Sequence, residues 1–116
     1  MIIEPTNNEQ LFIDAYFEAV YFTDAGPDNP HPLEDPELSA YDIRRGTIDC
    51  LAFFQANEHR ISDALTVQAG HDFWLTRNGH GTGFWDRDDS YGDYSAKKLT
   101  SNAEAFGVVD VEFIKS

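Results

Sequence analysis

Apolar residues recur at helical spacing near the start of the chain. Thr6 followed by Glu9 has the pattern of a capping box. The apolar positions after it are three or four residues apart: Leu11, Phe12, Ala15, Tyr16, Ala19 and Val20. This pattern predicts a helix over about residues 7 to 22. Asp14 and Glu18 lie four apart on its other face, so we expect the exposed face to be acidic.

The next segment is rich in proline and cannot be a regular helix or a central strand. We therefore predict an acidic loop over residues 24 to 36. Two starts are open for a second helix that runs to about Ala56: Asp35 before Pro36, or Ser39 three residues before Asp42. Its apolar residues lie on more than one face, which favours a central position in the fold.

An aromatic stretch with a glycine-rich centre predicts a β-hairpin over residues 72 to 87, with either a two-residue turn at Gly79-His80 or a four-residue loop over residues 78 to 81. In this register Trp74 faces Trp85 on one side of the hairpin. The hairpin then has two apolar faces. One covers the helical core, and the other is buried elsewhere or exposed as a tryptophan-lined site.

The last part of the chain predicts one more helix and one more strand. After an acidic loop at residues 88 to 94, Ser95 is expected to cap a helix that ends at Gly107. Apolar residues alternate with acids over residues 109 to 113, as in a half-buried strand. The expected fold class is α+β, with about three helices packed on a small three-stranded, mainly antiparallel sheet in a single domain, residues 1 to 116.

The stretch AGHDFWLTRNGHGTGFWDR, residues 69 to 87, resembles a group of small uncharacterised bacteriophage proteins. Those proteins are similar in layout, with an acidic helical first half, an aromatic hairpin, and a closing helix and strand. The resemblance implies a phage origin and action inside an infected bacterium. It supplies no catalytic residues.

Negative charge is concentrated in the first third of the chain. The formal net charge is −13, yet residues 1 to 42 contain ten acidic residues and no lysine or arginine, and the other 74 residues carry only −3. Such a field repels nucleic acid and anionic membranes and attracts cationic proteins, although solubility alone also explains it. The chain has no long apolar run and no signal-peptide pattern, so we expect a cytoplasmic protein.

These charges suggest a phage-encoded inhibitor that masks a basic, nucleic-acid-binding surface of a host protein, acting as a DNA mimic in anti-defence. Fixed carboxylates can replace phosphates, and the binding should be sensitive to salt. The candidate contact residues are Asp14, Glu18, Glu34, Asp35, Glu37, Asp42, Asp86, Asp88, Asp89 and Asp93. A solvated face without mimicry is the competing interpretation. We expect no direct contact with nucleic acid or membrane. A homodimer is an open alternative, because the second apolar face of the predicted hairpin would otherwise be exposed to solvent.

A second hypothesis places a small, nucleotide-like ligand on the hairpin. Its candidate residues are His71, Trp74, Arg77, His80 and Trp85. Tryptophan stacks on bases and arginine forks onto phosphate. The glycine run lacks the strand-to-helix context of a phosphate-binding loop, so a glycine-rich turn beside packed tryptophans competes with this interpretation.

No metal, cofactor or catalytic group is expected, although a small enzyme is kept as a third hypothesis. Cys50 is the only cysteine, which excludes an internal disulfide and a multi-thiolate zinc site. A calcium loop from Asp86 would need glycine and glutamate where this chain has Tyr91 and Lys97. Cys50 falls inside a predicted helix, and no nucleophile elbow occurs.

Overall fold

Helices make up most of the computed structural model, which describes residues 4 to 26 and 36 to 115. Within these residues, four helices of 12 to 19 residues, one short helix and two short strands follow in chain order: α1 (Asn7–Ala25), β1 (Pro36–Leu38), α2 (Ala40–Asn57), α3 (Thr66–Arg77), α4 (Asp88–Tyr91), α5 (Asp93–Glu104) and β2 (Phe113–Lys115). Three single 3-10 turns lie at Glu58–Arg60, Asp63–Leu65 and Phe84–Asp86. Most of the loop expected at residues 24 to 36 lies outside the described residues.

The first two helices begin where their capping residues predict. The backbone N–H of Glu9 donates to Thr6 Oγ1 at 3.2 Å, and the N–H of Thr6 donates to Glu9 Oε1 at 2.8 Å. This capping box confirms the predicted start of α1. Of the two starts open for α2, Ser39 is the one used: its hydroxyl accepts from the Asp42 N–H at 3.2 Å.

The predicted hairpin over residues 72 to 87 is wrong, because its first half is the helix α3. Gly79 has φ of 69°, its N–H donates to the Thr76 carbonyl, and the N–H of His80 donates to the Leu75 carbonyl at 3.0 Å. These bonds form a Schellman motif, which ends a helix. The Asn-Gly pair therefore stops α3 and does not turn between two strands.

The predicted tryptophan pair does not form either. Trp74 is 1% exposed and packs in the core, whereas Trp85 lies in a 3-10 turn and is 53% exposed. Asp72 and Arg87, the first and last residues of the predicted hairpin, do form an ion pair of 2.8 Å. They meet because the chain folds back from α3 to the turn at residues 84 to 86, with no strand involved.

The expected three-stranded sheet is also wrong, since the described residues contain only a two-stranded one. β1 and β2 pair antiparallel, with Leu38 opposite Phe113 and Pro36 opposite Lys115. Pro36 is the first residue of β1, a position at which proline is tolerated. The last strand begins at Phe113, where the strand predicted for residues 109 to 113 was to end.

The third predicted helix exists but starts earlier than expected. α5 begins at Asp93 after Gly92, so Ser95 lies inside it and does not cap it. The expected loop over residues 88 to 94 contains the single helical turn α4.

The core is a cluster of aromatic rings between α1, α2 and α3. The ring centroids of Phe53 and Phe73 are 4.3 Å apart and nearly parallel, and Phe12 lies 5.9 Å from both. α1 and α3 run in the same direction and cross closely at Gly70. A Cβ atom there would clash with the Phe12 carbonyl oxygen and lie 2.7 Å from Ala15 Cβ.

Candidate functional site

A rigid, exposed and acidic segment follows α3. Phe84 is fully buried and its N–H donates to Thr76 Oγ1 at 3.0 Å, while Tyr91 is 8% exposed. These two anchors hold the intervening residues against the core. The side chains around them point outward and form what we call the acidic–aromatic segment: Trp85, Asp86, Asp88, Asp89, Asp93 and Tyr94.

Two exposed aromatic residues flank the carboxylates of this segment in the sequence. Trp85 is 53% exposed and Tyr94 is 68% exposed. The ammonium group of Lys98 lies 5.6 Å from the centre of the Tyr94 ring, so one face of that ring already meets a cation. The segment thus presents both apolar surface and charge to solvent.

Asp86 holds the turn at the start of this segment. Its Oδ1 accepts from the Gly83 N–H at 3.0 Å and its Oδ2 accepts from the Thr82 hydroxyl at 2.9 Å. The backbone hydrogen bond from Gly83 lowers the pKa of Asp86, and the bond from Thr82 adds to this. The carboxylate is therefore charged at neutral pH, and it is also structural.

Arg87 is the only cation between Asp86 and Asp93, and a buried carboxylate matches its charge. Asp72 is fully buried and accepts from Arg87 Nε at 2.8 Å and from the Tyr91 hydroxyl at 2.9 Å. The hydrogen bond to Asp72 raises the pKa of Arg87, and burial raises the pKa of Tyr91. Within the part of the chain that the structure describes, no acid of the acidic–aromatic segment forms a salt bridge.

The other candidate acids do not join this segment. Asp14 and Glu18 are exposed on α1, where Asp14 accepts from Gln10 Nε2 at 2.8 Å and Glu18 lies 3.0 Å from His71 Nε2. Glu37 is exposed on β1. Glu34 and Asp35 lie outside the described residues.

Asp42 is a structural residue. It is 8% exposed, and its carboxylate accepts from the Ser39 hydroxyl at 2.8 Å and from the Glu112 N–H at 2.7 Å. These bonds tie the start of α2 to the segment before β2. Asp42 is therefore not available to a partner.

The residues expected to form a ligand pocket are divided among three places. His71 and His80 line a groove of about 560 Å³ between α1 and α3. Trp74 is buried beside this groove, and Trp85 does not line it. Arg77 is 3% exposed and turned toward α2, where it donates to Asp49 Oδ2 at 3.0 Å.

Arg77 also donates to two backbone carbonyls after α5, those of Phe106 at 3.1 Å and Gly107 at 2.9 Å. It joins α3, α2 and the C-terminal segment, which is a structural role. The groove instead contains Gln68, Thr82 and Arg87, which the hairpin register did not bring together.

Among the described residues, no group of three histidine, cysteine or acidic side chains is placed to hold a metal ion. Cys50 is fully buried in α2, and burial raises the pKa of its thiol well above the ordinary value, so it is a poor nucleophile.

Comparison with known proteins gave no match to a family model, a curated protein or a solved structure. None of the described helices is both long enough and apolar enough to cross a lipid bilayer.

Proposed function

We propose that this chain is a phage-encoded binding protein without enzymatic activity, and that it masks a basic, nucleic-acid-binding surface of a host protein. The observation that carries the proposal is the acidic–aromatic segment. Four exposed carboxylates lie within eight residues, without a salt bridge in the described part of the chain, between two exposed aromatic rings. The phage origin is supported by the resemblance of residues 69 to 87.

The composition of this segment is that of a protein-binding surface. Exposed tryptophan and tyrosine side chains are the residue types that contribute most at interfaces when a partner covers them. Carboxylates around them accelerate the encounter with a basic partner and disfavour acidic ones. Trp85 and Tyr94 are both more than half exposed, so a partner can cover them.

The electrostatics of the segment favour a cationic partner. Asp86, Asp88, Asp89 and Asp93 together carry −4, and the charge of Arg87 is matched by Asp72. Lysine and arginine side chains that normally contact phosphates would meet carboxylates here. A DNA-binding surface covered in this way can no longer contact nucleic acid.

The segment is also held in place before binding. Phe84 and Tyr91 fix it to the core, and Asp86 caps its first turn. Little conformational entropy is then lost on association, which raises the affinity that a small surface can reach.

The test is to isolate the partner from infected bacteria with the tagged chain, identify it, and measure its affinity for the purified chain and for DNA. The chain should displace DNA, and the affinity should fall as NaCl rises from about 50 to about 200 mM. A partner that still binds DNA while bound to the chain would contradict masking.

Charge variants separate this surface from the general acidity of the molecule. The substitutions Asp88→Asn, Asp89→Asn and Asp93→Asn together should weaken binding by about tenfold or more. The matched control changes three exposed acids elsewhere and alters the net charge equally: Glu4→Gln, Glu104→Gln and Asp110→Asn. Equal losses in both variants would show that the partner responds only to net charge.

A further inference from the structure

The groove between α1 and α3 has the size and lining of a small-molecule site. Its volume of about 560 Å³ lies within the range usual for small-ligand sites. One wall comes from the C-terminal half of α1, the other from the outer face of α3 and the segment after it. Its polar lining includes Gln68, His71, His80 and Arg87, and its apolar lining includes Phe22 and Leu75.

Arg87 is fixed in the wall of this groove by the buried Asp72. Only its Nε donates to Asp72 Oδ1, at 2.8 Å, and Gln68 Nε2 donates to the same oxygen at 3.0 Å. The Arg87 side chain is 31% exposed. Among the described residues, its two Nη groups have no protein acceptor, so they remain available to bind the two oxygens of a carboxylate or phosphate.

Two imidazoles lie in the same groove. The position of His80 is set by the end of α3, because its N–H bonds to the Leu75 carbonyl, and its ring centroid is 6.3 Å from that of Trp74. His71 Nε2 lies 3.0 Å from Glu18 Oε1. Among the described residues, Glu18 is the only acid of the lining, and its side chain is 73% exposed at the rim.

The remaining wall is apolar. Phe22 is 60% exposed although it borders a concave surface, and Ala19 and Leu75 lie beside it. Beneath them the indole N–H of Trp74 donates to Thr23 Oγ1 at 2.8 Å, which joins the two helices at this point. A ligand with an apolar or aromatic body would cover Phe22 and Leu75.

We propose that this groove binds a small organic anion, a carboxylate or a phosphate monoester attached to an apolar or aromatic body. The anionic group binds the Nη groups of Arg87 with help from the imidazoles of His71 and His80. The body packs against Phe22 and Leu75. The groove shares no member with the acidic–aromatic segment, although Arg87 lies between Asp86 and Asp88. Either proposal can fail without the other.

The first experiment titrates the intact chain with phenyl phosphate and with benzoate, followed by the amide NMR signals of His71, His80 and Thr82. These two probes distinguish a phosphate from a carboxylate ligand. Saturable shifts at the groove amides support the site. Benzyl alcohol and inorganic phosphate, which carry only one half of the proposed ligand, should bind at least about tenfold more weakly.

The proposal is overturned if neither anion gives saturable shifts by about 10 mM, or if benzyl alcohol binds as well as phenyl phosphate. Shifts confined to residues outside the groove would overturn it as well.

Variants locate the binding to the named groups. Arg87→Lys keeps a cation beside Asp72 but removes the two-pronged donor, and it should weaken binding at least about tenfold. His80→Gln should weaken it less, and the control His59→Gln, on an exposed turn outside the groove, should leave it unchanged. If Arg87→Lys does not fold, the variant Leu75→Trp tests the same proposal. The larger side chain fills the groove, so phenyl phosphate or benzoate that bound this variant as well as the unmodified chain would contradict the proposal.

Discussion

Gly70 determines how closely the two main helices approach each other. Inside a helix, glycine to alanine normally stabilises by about 1 kcal/mol. Here the added methyl group would clash with the Phe12 carbonyl oxygen and lie 2.7 Å from Ala15 Cβ. We expect Gly70→Ala to lower the free energy of unfolding by about 1 to 3 kcal/mol, as measured by urea denaturation.

The control for this substitution is Gly81→Ala. Gly81 is exposed, and its φ is not positive. A Cβ atom at this position would have no neighbour within 4 Å, so alanine here should leave the free energy of unfolding nearly unchanged. Equal stability of Gly70→Ala and the unmodified chain would mean that α1 and α3 are not in such close contact.

Single residues were predictable from the sequence where their role is local. Thr6 and Ser39 cap helices through partners only three residues away, so the printed sequence contains the whole motif. Arg77 was placed in a ligand pocket but is structural, because its partners Asp49 and Gly107 are about 30 residues away along the chain. Asp42 was similarly taken for a surface acid, since its bond to Glu112 is not visible in local spacing.

At the scale of elements, one glycine explains the largest error. Gly79 suits a tight hairpin turn, but a glycine just after a helix is equally suited to the left-handed residue of a Schellman motif. The residues before Asn78 include many that favour strands, which made the hairpin attractive. The decisive fact is the packing of Gly70 and Phe73 against α1, which no local pattern contains.

The capping box of α1 makes a prediction about pH. The Thr6 N–H and the Gln55 side chain donate to the Glu9 carboxylate and lower its pKa from the ordinary value of 4.5. A lowered pKa means that the folded state favours the charged form. Its contribution to stability is therefore full above about pH 4.5 and is lost as the pH falls through the lower folded-state value.

The measurement compares the free energy of unfolding of the unmodified chain and Glu9→Gln from pH 7 to about pH 3. The difference should be constant above about pH 5 and shrink below it. Glu4→Gln, which removes one exposed acid just before α1, controls for the change in net charge. A difference that grows on acidification would have the wrong sign for this mechanism.

At the scale of the whole molecule, the sequence predicted the helices better than the sheet. Three of its helices were expected, because caps and apolar periodicity are local signals. The sheet joins β1 and β2 from opposite thirds of the chain, with only three residues in each strand. A pairing so short and so distant in sequence leaves almost no local pattern.

The net charge of −13 should make the stability of the folded chain depend on salt. The molecule measures 41 × 39 × 24 Å, and charges interact over about 30 Å at 0.01 M salt but over only about 8 Å at 0.15 M. Repulsion among the carboxylates therefore acts across most of the molecule at low salt and is largely screened at the higher concentration.

We expect Tm to rise by several degrees when NaCl is increased between these values, measured by thermal unfolding with circular dichroism. The rise should be smaller in the variant with Asp88→Asn, Asp89→Asn and Asp93→Asn, which removes three of the repelling charges. Since the ion pairs of Arg77 and Arg87 each contain one side chain that is almost fully buried, screening weakens these favourable pairs little, and a Tm that fell with salt would contradict this account of the charge.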